Sequence, residues 1–295
     1  MASATEVSIE GRTLRLTNLE KVLFPACGFT KAQVIDYYRQ IAPVMLPHIA
    51  DRCPTLVRAP DGVAGEVFFE KRCPSHRPEW IAIGPANGVT GGCVIDSLAA
   101  LVWTANLAAI ELHVQQSPRL ALQTPTAMVF DLDPGDGSTI LDCRRVALQL
   151  RTWLEQLGLA VFVKTSGSKG IHLSVPISGS AVTHEDAKRF ALSMGQLLEQ
   201  RDDTVTTNMA KEQRVGKVFI DWSQNDRHKT TVAPYSMRIR EYPTVSTPLS
   251  WDELEAASDE RCLRFIPDEV IERVAARGDL WSDALTVQQQ LPHLN

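Results

Sequence analysis

Met128-Val129-Phe130-Asp131-Leu132-Asp133-Pro134 is the segment from which the architecture of this chain can be read. A short apolar run ends in two aspartates, and Pro134 with Gly135, Asp136 and Gly137 closes it. Side chains alternate along an extended strand. Asp131 and Asp133 therefore fall on one face, about 6–7 Å apart over two steps of ~3.3 Å. Two carboxylates at that spacing repel unless a cation lies between them, and hard divalent ions with oxygen ligands fill that role. A solvated strand end with two surface acids is the plainer alternative.

Two further apolar segments, 159–164 and 171–176, read as strands on either side of Thr165-Ser166-Gly167-Ser168-Lys169-Gly170. This turn is neither a Walker loop nor a dinucleotide fingerprint. It nevertheless brings glycines, hydroxyls, backbone N–H groups and a lysine to one tight turn, which is the chemistry of a phosphate cradle. Turn formation alone also favours serine and glycine there. His172 follows on the outgoing strand. Residues 218–225 read as a third apolar strand carrying Asp221. Between 211 and 240, seven basic residues stand against three acidic ones, about +4, in a chain whose net charge is −5. That contrast marks one basic region in a protein that is not basic overall.

A length of 295 residues permits one large domain or two ordinary ones, and 44% hydrophobic with 22% charged residues describes a globular protein. No apolar run reaches membrane-spanning length and the N-terminus lacks a signal pattern, so the expected location is cytoplasmic, with no membrane partner. The six cysteines (27, 53, 73, 93, 143, 262) include no C-x-x-C pair. Reduced, mostly buried thiols are expected rather than a zinc ribbon or a disulfide framework.

Towards the N-terminus, residues 1–16 suggest a hairpin around Gly11, and Thr30 with Gln33 forms a capping box for a helix. Its apolar face runs Val34, Ile35, Tyr38, Ile41, Ala42, Met45, and Lys21 and Lys31 flank it as surface lysines. Residues 55–58 and 67–71 read as strands. Phe68 and Phe69 there project to opposite faces, one for the core and one for solvent or a partner. Asp96 or Ser97 caps a buried helix over 98–109, followed by a strand over 111–114 carrying His113. Amphipathic helices are expected over 139–157, ended by Gly158, and from Thr183 to about residue 200. Short surface helices over 251–256 and 267–276 carry no recognisable chemistry.

Taken together, three acids on two strands, a Ser/Gly/Lys turn and a basic region suit in-line attack at phosphorus assisted by two divalent metals. The ordered set of motifs also resembles a known family. The motifs are Leu-Thr-Asn-x-x-Lys-Val-Leu-Phe-Pro at 16–25, Phe-Phe-Glu-Lys at 68–71, Asp-Leu-Asp-Pro at 131–134 and Thr-Ser-Gly-Ser-Lys-Gly-Ile-His at 165–172. Asp-Trp-Ser-Gln-Asn at 221–225 and Lys-Thr-Thr-Val-Ala-Pro-Tyr-Ser at 229–236 complete the set. Over almost its whole length the chain resembles the polymerase domain of bacterial ATP-dependent DNA ligase D, in the archaeo-eukaryotic primase superfamily.

The resemblance implies an α/β (α+β) primase-like catalytic core: two mainly antiparallel sheets with flanking helices and a central cleft. It implies one domain over 1–295, with a 5′-phosphate pocket in about 1–110, a metal and nucleotide core in about 111–245 and C-terminal helices in about 246–295. Asp131, Asp133 and Asp221 would bind two divalent ions, Mn2+ or Mg2+. His113, Ser166, Lys169, His172, Lys217 and Arg238 would hold a nucleoside triphosphate, ribo- or deoxy-. Asn18, Lys21, Lys31, Arg58, Phe68, Phe69 and Arg214 would meet DNA bearing a gap, break or 3′ overhang with a 5′-phosphate. The implied activity is template-directed, ribonucleotide-preferring extension of 3′ ends in bacterial non-homologous end joining, beside Ku and an ATP-dependent ligase at the nucleoid. Some relatives carry a basic pair before the Pro-x-Gly turn where this chain has Val57-Arg58, so only Arg58 is expected to act there. A stand-alone primase-polymerase, a metal-dependent phosphoesterase or nuclease, and an inactive end-binding module are the alternatives.

Overall fold

The structure, a computed structural model, describes residues 4–86, 88–179 and 182–292; residues 1–3 of the N-terminal hairpin lie outside them. Two sheets carry the fold. The larger has six strands in the order Val205–Thr206, Val218–Asp221, Ala127–Pro134, Ile171–Pro176, Phe162–Thr165, Pro248–Leu249. Only its first pair is parallel. The smaller orders Thr231–Val232, Ala109–Val114, Thr55–Arg58 and Phe68–Glu70, all antiparallel. Among the described residues, four two-stranded ribbons lie beyond these, including the expected hairpin of Ala4–Ile9 with Arg12–Thr17.

Period-two alternation explains how the larger sheet is used. Met128, Phe130 and Leu132 face a core shared with Ile171, Leu173, Val175, Val218 and Ile220. Helices α3 (Ile140–Gln156) and α4 (His184–Glu199) cover that face through Val146, Leu150, Phe190 and Met194. The odd-numbered residues of the central strand, Asp131 and Asp133 among them, are left for the opposite face. Both helices open on capping boxes, Thr139 with Asp142 and Thr183 with Asp186. Capping satisfies amides that the first turn leaves unpaired.

A second core lies between the smaller sheet, α1 (Lys31–Ile49) and α2 (Leu98–Asn106). Thr30 and Gln33 cap α1 reciprocally, and Val34, Ile35, Tyr38, Ile41, Ala42 and Met45 are buried as the pattern required. The Tyr38 hydroxyl donates to Ile110 O (2.6 Å) and that of Tyr37 to Tyr235 O (2.8 Å), pinning α1 to the sheet and to the 235–239 segment. The C-terminal segment after the helix Pro267–Arg277 is locked in the same way. Asp279 accepts from Tyr235 Oη (2.6 Å) and pairs with His48 Nε2 (2.8 Å).

Several local expectations are corrected. Cys73 and Cys93 form a disulfide, because the loop after Phe68–Glu70 lies against Val89–Cys93, where Cys73 N donates to Gly91 O (2.8 Å). Of the four remaining thiols, Cys53 and Cys143 are buried and Cys27 and Cys262 exposed. The buried helix ends at Asn106, since Ala108 turns at φ 56° and Ala109 already starts a strand. The third acid-bearing strand stops at Asp221, and Trp222–Asn225 is a 3-10 turn. Lys31 is not a surface lysine but only 5% exposed. Neither phenylalanine enters the core: Phe68 is 42% and Phe69 71% exposed, because they sit on a short edge strand. Among the described residues no helix is long and apolar enough to cross a membrane.

Candidate active site

Antiparallel register builds the site. Asp221 pairs with Asp131, Asp131 with His172, and His172 with Lys164. Directly opposed residues share a face, so these four side chains form one transverse row across four strands. Asp133 stands two residues along the same face. The row lies on the floor of a cleft opposite the smaller sheet. Arg238 spans it, donating from Nε to Glu111 Oε1 (3.1 Å) on the smaller sheet and from Nη1 to Ser166 O (2.7 Å) on the hairpin.

Electrostatics on this floor is uncompensated. Asp131 is buried, and its carboxyl is pushed up to about 7, first by burial and then by the Asp221 charge. Its Oδ1 lies 3.1 Å from His172 Nε2, close but outside hydrogen-bond alignment, and that buried oxygen has no donor. Asp133 is raised by crowding and by Asp131. It stands at the cleft mouth in contact with solvent, and screening tempers the effect. Asp221 is better served: Ser223 N (3.0 Å) and Oγ (2.6 Å) donate to Oδ1, and Gln224 Nε2 (3.0 Å) donates to Oδ2. Burial drives Lys164 and His172 well below their ordinary values. Among the described residues no three His, Cys, Asp or Glu side chains converge as a preformed metal cage.

The hairpin turn packs tightly against this floor. Gly167 adopts φ +68° and a Cβ there would lie 2.6 Å from Ser246 N; one at Gly170 would lie 2.1 Å from Leu132 O. Glycine is required at both by close backbone approach. Ser166 Oγ is turned inward and accepts from Ser168 N (3.2 Å) and Gly170 N (3.1 Å). Lys169 is exposed at the tip. His113 reaches the cleft from the smaller sheet, its Nε2 donating to Glu111 Oε2 (2.6 Å). Burial favours the protonated form of Glu111, but His113, Arg238 and the Ile239 amide outweigh it and hold the carboxyl at about 2. At the mouth, Arg214 stacks 3.5 Å over the Phe219 ring, whose strand partner is Asp133. Lys217 follows in the same segment, and its carbonyl accepts from Gly135 N (2.8 Å).

The remaining predicted residues form a separate cluster on the outer rim. Asn18 turns the chain at φ 55°, and its carbonyl accepts from Lys21 N (3.0 Å). Lys21 Nζ pairs with Asp61 (2.7 Å). Lys31 Nζ donates to Thr17 O (2.6 Å). Burial, then Lys21 and Arg58, lower its ammonium to about 8. Arg58 donates to Leu107 O (3.0 Å) and pairs with Glu70 (2.7 Å), directly opposite Phe68 in register. The floor and the rim are thus two assemblies: the first gathers Asp131, Asp133, Asp221, His113, Ser166, His172 and Arg238, the second Asn18, Lys21, Lys31, Arg58, Phe68 and Phe69.

Sequence reasoning passed over Glu111, Lys164, Ser223, Gln224 and Arg240, whose Nε donates to Ser168 Oγ (2.9 Å). Glu111 was within reach, since it alternates with His113. Lys164 was too, once the hairpin register was drawn.

Comparison with known proteins shows the family. Residues 30–281 match the profile of the LigD primase-polymerase domain. The chain is 46% identical over 273 residues to the multifunctional non-homologous end joining protein LigD of Mycolicibacterium smegmatis, covering 90% of this chain and 35% of that protein. It is 30% identical over 266 residues to the bifunctional non-homologous end joining protein LigD of Bacillus subtilis, covering 90% of this chain and 43% of that one. The polymerase domain from Mycobacterium tuberculosis ligase D, solved in complex with DNA, superposes with a TM-score of 0.85. That match has 41% identity and covers 92% of this chain and 98% of that one. The chain spans less than half the length of these two curated relatives, 35% and 43%. From the sheet order, the acid-bearing register and these matches, the chain belongs to the LigD primase-polymerase domain family.

Proposed function

We propose that this chain is a template-directed nucleotidyltransferase that extends primer 3′ ends at gaps and breaks during non-homologous end joining, with ribonucleotides preferred. The 3′-hydroxyl oxygen bonds to the α-phosphorus of a nucleoside triphosphate, the bond to the β-phosphate bridging oxygen breaks, and pyrophosphate leaves. The observation that carries the reading is the buried Asp131 oxygen without a donor, in a row with Asp221 and above Asp133.

That floor fits divalent cations. Two carboxyls are pushed toward protonation, first by burial and then by a neighbouring carboxylate, and Mg2+-type ions are commonly held by one or two carboxylates plus substrate phosphates rather than by a closed protein cage. Asp131, Asp133 and Asp221 would hold two such ions, Mn2+ or Mg2+. Bound there, the ions would acidify the attacking hydroxyl and neutralise charge on the phosphates.

The chain's own groups do the rest. His172, Ser166, Lys169 and Arg238 grip the triphosphate; His113 sits near its sugar and phosphates. Glu111 orients both His113 and Arg238. Lys217 and Arg214 line the mouth. Asn18, Lys21, Lys31 and Arg58 take the downstream 5′-phosphate, and Phe69, with Phe68 beside it, packs on the template at the break. Residues 1–295 act as one catalytic unit, in a bacterial cytoplasm beside Ku and an ATP-dependent ligase.

Extension of a labelled primer on a gapped duplex tests this reading. Templated addition with pyrophosphate release, dependent on Mn2+ or Mg2+, lost in Asp131→Asn and improved by the downstream 5′-phosphate, is the expected result. Release of nucleoside monophosphates would mean a phosphoesterase, and no addition with either metal would leave an end-binding module.

A further inference from the structure

We propose that Lys164 is a positioning residue that fixes the His172 tautomer with the proton on Nε2, the nitrogen offered to the phosphate oxygens of the incoming nucleotide. The inference rests on the reading above that His172 meets the triphosphate. It begins with a misfit. Lys164 is 3% exposed on the cleft floor, where an apolar side chain would be cheaper to bury. Its amine has two partners, Ser246 Oγ (2.6 Å) and His172 Nδ1 (3.1 Å).

The direction of each hydrogen bond follows from the neighbours. Ser246 Oγ donates its only hydrogen to Thr165 O (2.9 Å), so it must accept from Lys164. In its ammonium form Lys164 has further N–H groups and no lone pair, so toward His172 Nδ1 it can only donate. On the far side of the ring, Nε2 lies 3.1 Å from Asp131 Oδ1 without hydrogen-bond alignment, so it is left for another acceptor, such as a phosphate oxygen. A neutral imidazole that donates from Nε2 must accept at Nδ1, and Lys164 supplies that donor. In the opposite tautomer a ring lone pair would face any phosphate. Which nitrogen of a histidine carries the proton is set by the bond its other nitrogen makes.

Because Lys164, His172 and Asp131 are consecutive members of one row, strand register delivers the arrangement without a loop. Ser246, from the segment that packs on Gly167, anchors the amine from outside the sheet.

The test is nitrogen-15 NMR of histidine-labelled protein, with the His172 signals assigned by their loss in His172→Gln, alongside steady-state kinetics of primer extension. The wild type is expected to show a protonated Nε2 and a bare Nδ1. In Lys164→Met the ring is expected to populate both tautomers, and KM for the nucleoside triphosphate to rise about 10- to 100-fold, the usual scale for losing an orienting partner. A wild-type ring protonated at Nδ1 overturns the proposal, and that measurement needs no variant. An unchanged tautomer and KM in Lys164→Met overturn it too, leaving Lys164 as a pin between the hairpin and Ser246. A changed tautomer with unchanged KM upholds the hold on His172 and overturns instead the nucleotide role given to that histidine.

Discussion

On the cleft floor, Asp131, His172 and Lys164 keep ionisable groups where water hardly reaches; on the rim, Lys21 and Phe69 stand in solvent. The floor is assembled from strands distant in sequence, and its charges are left short of partners. The rim comes from the turn before α1, the start of α1 and two edge-side strands, and its cations Lys21 and Arg58 are already paired, with Asp61 and Glu70. A buried carboxyl without compensation costs stability until a ligand supplies the missing charge, whereas an exposed ion pair contributes little either way. The difference separates chemistry from recognition: the floor is poised for cations and phosphate, the rim for reversible contact with a polyanion. Lys31 stands between the two cases, a buried ammonium whose carbonyl partner leaves its charge unneutralised.

If this division is right, Asp131→Asn has the largest effect. Primer extension should fall by at least about 10^2- to 10^3-fold, the scale of removing one preorganised electrostatic contact. The metal-free variant should melt at a higher temperature than the wild type, because a neutral isostere relieves the like-charge crowding. Activity that survived the change would erase the distinction between floor and rim.

The pH dependence of stability comes next. The folded-state pKa of Asp131, about 7, lies above its unfolded value near 3.9. The folded protein therefore binds the extra proton between those values. The stability this adds is complete below about pH 4 and is lost as pH rises through 7. Metal-free protein should show a falling melting temperature from about pH 5 to pH 8, a slope that Asp131→Asn flattens and saturating Mg2+ or Mn2+ offsets at the alkaline end. Calorimetry across that range would show the coupling, and a flat profile for the metal-free wild type would contradict it.

Smaller effects belong to the rim. Phe69→Ala should weaken binding to gapped duplex by ~1–3 kcal/mol, the worth of one aromatic–base stack, with the melting temperature nearly unchanged. Fluorescence titration and a thermal melt on the same sample would separate the two. Lys21→Ala should abolish part of the preference for a 5′-phosphate and lower the slope of log K against log salt by about 1. Its effect on folding should stay under ~1 kcal/mol, because only a surface ion pair is lost. A large loss of stability in either variant would make the rim structural.

Much of this was legible without coordinates. The central strand, its two acids on one face, the capped helices and the hairpin all follow from period, caps and turn residues. The misread boundaries at Ala109 and Asn225 lie where apolar content continues while the backbone changes direction, at Ala108 (φ 56°) and in the 3-10 turn. Phe68 and Phe69 misled because alternation assigns faces without saying whether a second layer covers either one. Cys73 and Cys93 paired across 20 residues because their two loops meet, which spacing alone does not encode.

Local order along the chain was enough to single out Asp131, Asp133, Asp221 and the turn carrying Ser166, with His172 just beyond it, since strand alternation and turn chemistry are short-range properties, while their roles came from the family resemblance. The placement of Glu111 under both His113 and Arg238, of Lys164 behind His172, and of Lys31 inside rather than on the surface depended on contacts between segments far apart. Burial, register between non-adjacent strands and the balance of desolvation against partners arise only when the two sheets come together. There the same lysine or aspartate that would be ordinary in water acquires an altered charge and a direction.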